Sequence, residues 1–284
     1  MSIKSRKKAK IIEEAFSEAG NPSDLVGVFK SCFTVDVLKK LNDLDNTIHS
    51  DKVEGFVALF DILGFQSMVE NDELEKVVLT YERFQDSVPV EMANAFTGDN
   101  LLRARNYSDT ILIYTTEIND RSFKILLLSL NHLFLMAAAQ GVPIRGAVTV
   151  GDFYASDDGE IGKPIIDAYK NEKKQDWIGC WIAEECINRL SSEVIEELTA
   201  QHQIVRYPIP FKEGQVKELY AFNWLWLFVT CAAKNHASVV TGLREPLKTK
   251  FFLAKKPWHG WAEERKHNHT RQFIDFIFSL SLKE

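Results

Sequence analysis

Between residues 55 and 150 the hydrophobic period of the chain changes in one order: strand, helix, strand, strand, helix, strand. Phe56-Val57-Ala58-Leu59-Phe60 is a short run of strand formers that ends at Asp61, with a turn at Gly64. Residues 73–96 have helical periodicity, and residues 101–106 and 110–114 read as two strands joined through Tyr107-Ser108-Asp109. Residues 120–140 form a long apolar helix and 144–150 another strand, with Gly151-Asp152 as a turn. This order is that of the split βαβ motif, so the expected fold is α+β, a ferredoxin-like βαββαβ palm. A helix is expected over 162–173 and another over 183–198, a strand within 216–226, and a closing amphipathic helix over 270–282. Residues 1–54 read as a helical N-terminal extension, broken by Gly20-Asn21-Pro22-Ser23, 55–230 as the main domain, and 231–284 as an extension packed on it.

Composition narrows the function classes. The chain has 284 residues, 45% hydrophobic, and a formal net charge of −6, which gives no support for a basic face that would hold a nucleic acid polymer. Lys4, Arg6, Lys7, Lys8 and Lys10 read as a solvated terminus. Cys32, Cys180, Cys186 and Cys231 form no C-x-x-C pair and read as reduced thiols. The N-terminus is charged and lacks an apolar secretory core, so the expected location is the cytoplasm. Ser129, Asn131, His132 and Gln140 interrupt the most apolar stretch, which therefore reads as a buried helix and not a membrane span.

Two carboxylates stand out. Asp61 ends the first strand and Asp109 lies in the turn between the second and third. In a βαββ arrangement the first and third strands are neighbours, so both carboxylates can meet on one edge of the sheet. Two hard oxygen ligands suit Mg²⁺ or Mn²⁺, ions that keep several waters and take substrate phosphates as further ligands. Taken singly, each aspartate is also an ordinary turn residue. Gly64, in Asp61-Ile62-Leu63-Gly64-Phe65, lets main-chain N–H groups approach a phosphate.

These residues resemble the class III nucleotidyl cyclases. Phe60-Asp61-Ile62-Leu63-Gly64-Phe65 is similar to that group's first metal motif, and Tyr107-Ser108-Asp109 to its second. Ile144-Arg145-Gly146-Ala147-Val148-Thr149-Val150-Gly151 is similar to the strand that follows. With Ile165-Ile166-Asp167-Ala168-Tyr169 and Trp177-Ile178-Gly179, the chain most resembles the bacterial pyrimidine cyclases of the Pycsar anti-phage systems. The resemblance implies cyclisation of UTP or CTP to the 3′,5′-cyclic monophosphate with loss of pyrophosphate. It also implies two Mn²⁺ or Mg²⁺ ions per site, a homodimer with sites at the interface, and a cyclic product read by a separate effector. Carried over, Asp61, Asp109 and the carbonyl of Ile62 would hold the metals, and the amides around Leu63, Gly64 and Phe65 the triphosphate.

Arg105 stands four residues before Asp109, where purine cyclases carry the base-reading side chain. As a pure donor it suits uracil O4, or cytosine N3 and O2, and cannot accept from a cytosine amino group, which favours UTP; it also reads as an edge-strand surface residue. The Asn and Arg that purine cyclases carry after the glycine are here Ile166 and Lys170. Lys170 keeps the charge without the bidentate fork. Arg145 either compensates or forms a salt bridge beneath the sheet. A purine cyclase and a non-catalytic nucleotide-binding module are the alternatives. Tyr169 and Trp177 are candidates for stacking on a base or for the core. His267-Asn268-His269 reads as exposed loop histidines, without zinc-ligand spacing.

Overall fold

The computed structural model describes residues 51–72, 101–156, 159–227 and 261–281, with single positions 10, 75, 78, 82 and 230. The expected helices before residue 51 and over 73–96, Cys32, Cys231 and most of the 231–284 extension lie outside the described residues.

The elements follow in the order β1 (Asp51–Ile62), α1 (Phe65–Asn71), β2 (Leu102–Tyr107), β3 (Thr110–Thr115), α2 (Asp120–Gln140) and β4 (Ile144–Ser156). Then come β5 (Gly159–Gly162), α3 (Lys163–Lys174), β6 (Cys180–Ile182), α4 (Glu184–Ile187), α5 (Ser192–Ala200), β7 (Ile204–Pro210), β8 (Val216–Phe222) and α6 (Trp261–Ser281). The sheet order is β2-β3-β1-β4-β6-β8-β7, with β5 paired to β4. Its first four strands have the ferredoxin-like arrangement expected from the sequence. Two compact units are distinguished, residues 1–52 with 154–161, and residues 53–153 with 162–284. In the first, Ser156 Oγ donates to the Gly159 carbonyl at 3.1 Å and closes the β4–β5 hairpin.

Strand alternation sorts the sheet into two faces. Phe56, Ala58, Phe60 and Ile62 of β1, with Ile111 and Ile113 of β3, join the main core. The α2 helix covers this face, placing Phe123 against Phe56 (centroids 4.9 Å) and Phe134 edge-on to Phe60 (5.6 Å). It begins at a capping box in which Asn119 Oδ1 accepts from the Ser122 amide and Ser122 Oγ from the Asn119 amide, and it ends at Gly141. Its length and composition would suit a membrane span, yet 61% of its most apolar window is buried within the protein. Close packing extends to Gly146 of β4, where an added Cβ would lie 2.3 Å from the Phe60 ring.

Several boundaries differ from expectation. The β4 strand runs straight through Gly151-Asp152, because Gly151 takes φ 150°, which a side chain would strain. The helix expected over 183–198 is broken into α4 and α5. Ser191 restarts it, its Oγ accepting from the Val194 amide, while Asp120 takes the Ser191 amide and hydroxyl at 2.9 and 2.7 Å. Those hydrogen bonds hold the Asp120 carboxyl below its ordinary range. The β6 and β7 strands, invisible in the pattern, carry the sheet past β4.

His267 and His269 are not loop residues. Both lie inside α6, which starts before Thr270. Its apolar side packs Phe273 edge-on to Trp177 at 4.8 Å and to Tyr207 at 4.9 Å. His269 Nδ1 is 2.7 Å from the Asp176 carbonyl, and Thr270 Oγ1 accepts from the Ile178 amide at 2.9 Å. His267 is 4% exposed, and burial pushes its imidazole down to about 4. The unfolded chain therefore binds the extra proton between the ordinary histidine pKa and about 4, so stability falls as pH drops through that window. Urea unfolding should show a wild-type loss of about 2–3 kcal/mol from pH 7 to pH 4 through this group. His267→Leu is expected to remove that part of the slope; an identical slope in the variant would assign it elsewhere.

Candidate active site

The second sheet face carries the site. Asp61 pairs with Thr110, and Thr110 with Tyr107, so these three share one cross-strand row. Leu59, Leu112 and Arg105 form the next row on the same face. The Ile62 amide donates to the Asp109 carbonyl at 3.0 Å, which brings the two aspartate backbones together at the end of interior strands β1 and β3. The two backbones thus meet at a strand-end rim and not on a sheet edge, since β3 and β4 flank β1. Asp109 is half-buried, and Asp61 is 9% exposed.

The turn after Asp61 is tied into the fold. The Leu63 amide donates to the Pro143 carbonyl at 2.9 Å, so it is already committed and not aimed at a phosphate. Gly64, exposed and at φ 77°, then turns the chain into α1, and its carbonyl accepts from the Met68 amide at 3.0 Å.

The helix α3 covers the face beside Asp61. Thr149 Oγ1 donates to the Pro164 carbonyl at 2.7 Å and anchors its first turn. Beyond its last turn, Gln175 Nε2 donates to the Gly146 carbonyl at 2.8 Å, and Trp177 Nε1 to Gln175 Oε1 at 2.8 Å. Between these anchors Pro164, Ala168 and Glu172 form the buried stripe. Glu172, fully buried, receives Arg145 Nε at 2.7 Å and Arg145 Nη2 on the same Oε1. Arg145 Nη1 donates to the Gln175 carbonyl at 2.8 Å, and Nη2 lies 3.9 Å from Asp61 Oδ2. Lys173 Nζ completes the group, 3.0 Å from Asp61 Oδ1 and 3.5 Å from Glu172 Oε2.

Burial pushes the Glu172 carboxyl above its ordinary range, although Arg145 pulls the other way. Burial alone would lower the Lys173 ammonium; Glu172 and Asp61 outweigh it and raise it. Asp61 therefore stands in a network of two carboxylates and two cations, with Lys173 covering one of its oxygens. Among the described residues no group of three or more His, Cys, Asp or Glu side chains is placed to hold a metal. Any ion at Asp61 and Asp109 would draw its other ligands from main-chain carbonyls, water and phosphate.

No known family profile matches the chain, and no curated protein sequence matches it. Solved structures similar to it include the catalytic core of a rhodopsin-guanylyl cyclase with converted specificity in complex with ATPαS. That one is 12% identical with a TM-score of 0.46, over 61% of this chain and 97% of the other. A bacterial light-regulated adenylyl cyclase is 13% identical with a TM-score of 0.42, over 61% of this chain and 92% of the other. A class III adenylyl cyclase-like ATP-binding protein from Pseudomonas aeruginosa is 16% identical with a TM-score of 0.36, over 61% of this chain and 49% of the other.

The side chains named from the sequence are thus divided. Asp61, Asp109 and Arg105 share one region of the sheet, with Arg105 half-buried on β2. Arg145 faces Asp61 but is 2% exposed and committed to Glu172 and Gln175, which is the salt bridge beneath the sheet and leaves it no reach to a ligand. Lys170 is exposed on α3, away from the network, and Ile166 beside it is 53% exposed. Trp177 belongs to the core, stacked 5.4 Å from Tyr207, whereas Tyr169 is half exposed. Lys173, in the last turn of α3, is the lysine of that helix that reaches Asp61. Glu172 was missed. Its signal was a lone acid at the third position of the stripe Pro164, Ala168, Glu172, where burial demands a cationic partner.

Proposed function

We propose that the chain is a nucleotidyl cyclase that closes a nucleoside triphosphate to its 3′,5′-cyclic monophosphate, with UTP favoured over CTP. The single observation that supports this most is the backbone juxtaposition of Asp61, at the end of β1, and Asp109, in the turn entering the neighbouring β3, joined through the Ile62 amide. The donor set fits a hard divalent cation, and Asp61 Oδ1 already receives a cation, the Lys173 ammonium. When bound by Asp61, Asp109 and the Ile62 carbonyl, Mn²⁺ or Mg²⁺ would neutralise the triphosphate charge.

The ribose 3′-hydroxyl gives its proton to solvent water and attacks the α-phosphorus. The new O–P bond closes the ring as the bridging O–P bond breaks and pyrophosphate leaves. Positioning and charge neutralisation carry such a transfer. Arg145 and Glu172 orient Asp61 from beneath. Gly64 and Phe65 open α1 on the side where the phosphates would lie. Arg105 lies on the same face, two strand spacings across and two residues along, roughly 12 Å from Asp61 between Cα atoms, which suits contact with a base. In this reading the chain acts as a homodimer, and its cyclic product signals to a separate effector in anti-phage defence.

The neutralised state of Asp61, with Ile166 and Lys170 pointing outward, favours one other reading, a module that binds nucleotide without turnover. Incubation with each of the four triphosphates and Mn²⁺, with products identified by mass, separates the two. Cyclic UMP or cyclic CMP with pyrophosphate is expected. A purine cyclic nucleotide would overturn the base assignment, and bound but unchanged nucleotide would overturn the activity.

A further inference from the structure

Two cations face Asp61, and they are held differently. Arg145 is 2% exposed, and its three kinds of nitrogen are used by Glu172, Gln175 and, at 3.9 Å, Asp61. It cannot leave without stranding a buried carboxylate. Lys173 belongs to the last turn of α3, and its side chain is 38% accessible. Its ammonium touches Asp61 Oδ1 at 3.0 Å and lies over the half-exposed Tyr169 ring at 5.5 Å. A flexible four-carbon stem can withdraw toward solvent while the helix stays pinned at both ends.

We propose that Lys173 is a displaceable counter-ion: it occupies the cation position at Asp61 in the nucleotide-free protein and must leave before a divalent metal can bind there. This deepens the cyclase reading and rests on it. A metal at about 2.1 Å from Oδ1 and an ammonium on the same oxygen would be like charges a few ångströms apart. Without nucleotide, Asp61 and Glu172 are balanced by Arg145 and Lys173, so a free divalent ion meets a compensated Asp61 beside Asp109. A triphosphate changes the balance, because its phosphates supply both the charge the metal needs and a new acceptor for the ammonium. Metal entry is thereby tied to nucleotide entry. The residue is a positioning residue, acting on the reaction through Asp61 and the phosphates.

The test is Mn²⁺ binding to the full chain without nucleotide, read from the electron paramagnetic resonance of free Mn²⁺. Lys173→Met is expected to bind Mn²⁺ about tenfold more tightly than wild type, the scale of one lost charge-assisted contact. With Mn²⁺ saturating, its affinity for α,β-methylene-UTP, whose bridge cannot break, is expected to weaken by about tenfold on the same scale. Lys173→Arg keeps the charge and is expected to bind free Mn²⁺ no more tightly than wild type. Equal or weaker Mn²⁺ binding by Lys173→Met overturns the proposal. Asp61→Asn run alongside isolates the cause: if it abolishes Mn²⁺ binding while Lys173→Met changes nothing, the counter-ion role falls and the metal site stands. If Asp61→Asn binds Mn²⁺ as wild type does, the metal assignment falls as well.

Discussion

Replacing Asp61 by asparagine is expected to lower nucleoside triphosphate turnover by about 10³-fold while the protein folds as before. Asparagine keeps the size and shape of the side chain and the β1–β3 register, in which Asp61 pairs with Thr110. It loses the negative charge that a divalent ion needs. The fold survives because Arg145 keeps its hydrogen bonds to Glu172 and Gln175, and Lys173 can turn to solvent. Turnover measured with Mn²⁺ checks the first half, and near-ultraviolet circular dichroism with urea unfolding the second. Asp109→Asn should behave alike, since Asp109 is half-buried at the same rim. Full activity in either variant would remove the carboxylate from the reaction.

Arg145→Met should act on the fold itself, at about 3–5 kcal/mol. Methionine fills much of the space, but Glu172 is left fully buried with Lys173 Nζ, 3.5 Å from Oε2, as its remaining cation. The Gln175 carbonyl also loses its donor. Such a penalty depends on pH, and its sign follows from Glu172. Its folded-state carboxyl is already raised by burial, against the pull of Arg145, and without Arg145 it rises further. A raised carboxyl is most stable when protonated, so stability falls as pH rises through its folded-state value. The deficit of Arg145→Met should therefore be larger at pH 8 than at pH 5.5 in urea unfolding. A deficit that grew toward low pH would mean that Glu172 is not the stranded group. Arg145→Met with Glu172→Leu together should recover much of the loss, because an apolar pair of similar volume replaces a buried ion pair at little cost.

Much of this protein was legible in one dimension. The period change from two to 3.6 and back marked β1, β2, β3, α2 and β4, and with them the ferredoxin-like order that makes β1 and β3 neighbours. That adjacency brings the backbones at Asp61 and Asp109 together. Boundaries at Gly151 and Ser191 were misread, because a glycine may pass through a strand as readily as turn it, and a serine may start a helix as readily as sit within one. Strands β6 and β7, short or interrupted by prolines, show no clear period.

What periodicity could not reach was the pairing of charges. A helical or strand period says which side of its own element a residue faces, never what lies opposite. Glu172 is buried only because α3 lies on β4, Arg145 faces it only because β4 presents odd-numbered residues to that side, and Lys173 meets Asp61 only because the last turn of α3 lies beside the end of β1. Local backbone preferences write themselves into sequence over a few residues. The desolvation of a charge and the partner that relieves it are set by elements distant in the chain, Arg145 from Glu172 and Asp61 from Lys173, and so by the tertiary structure alone.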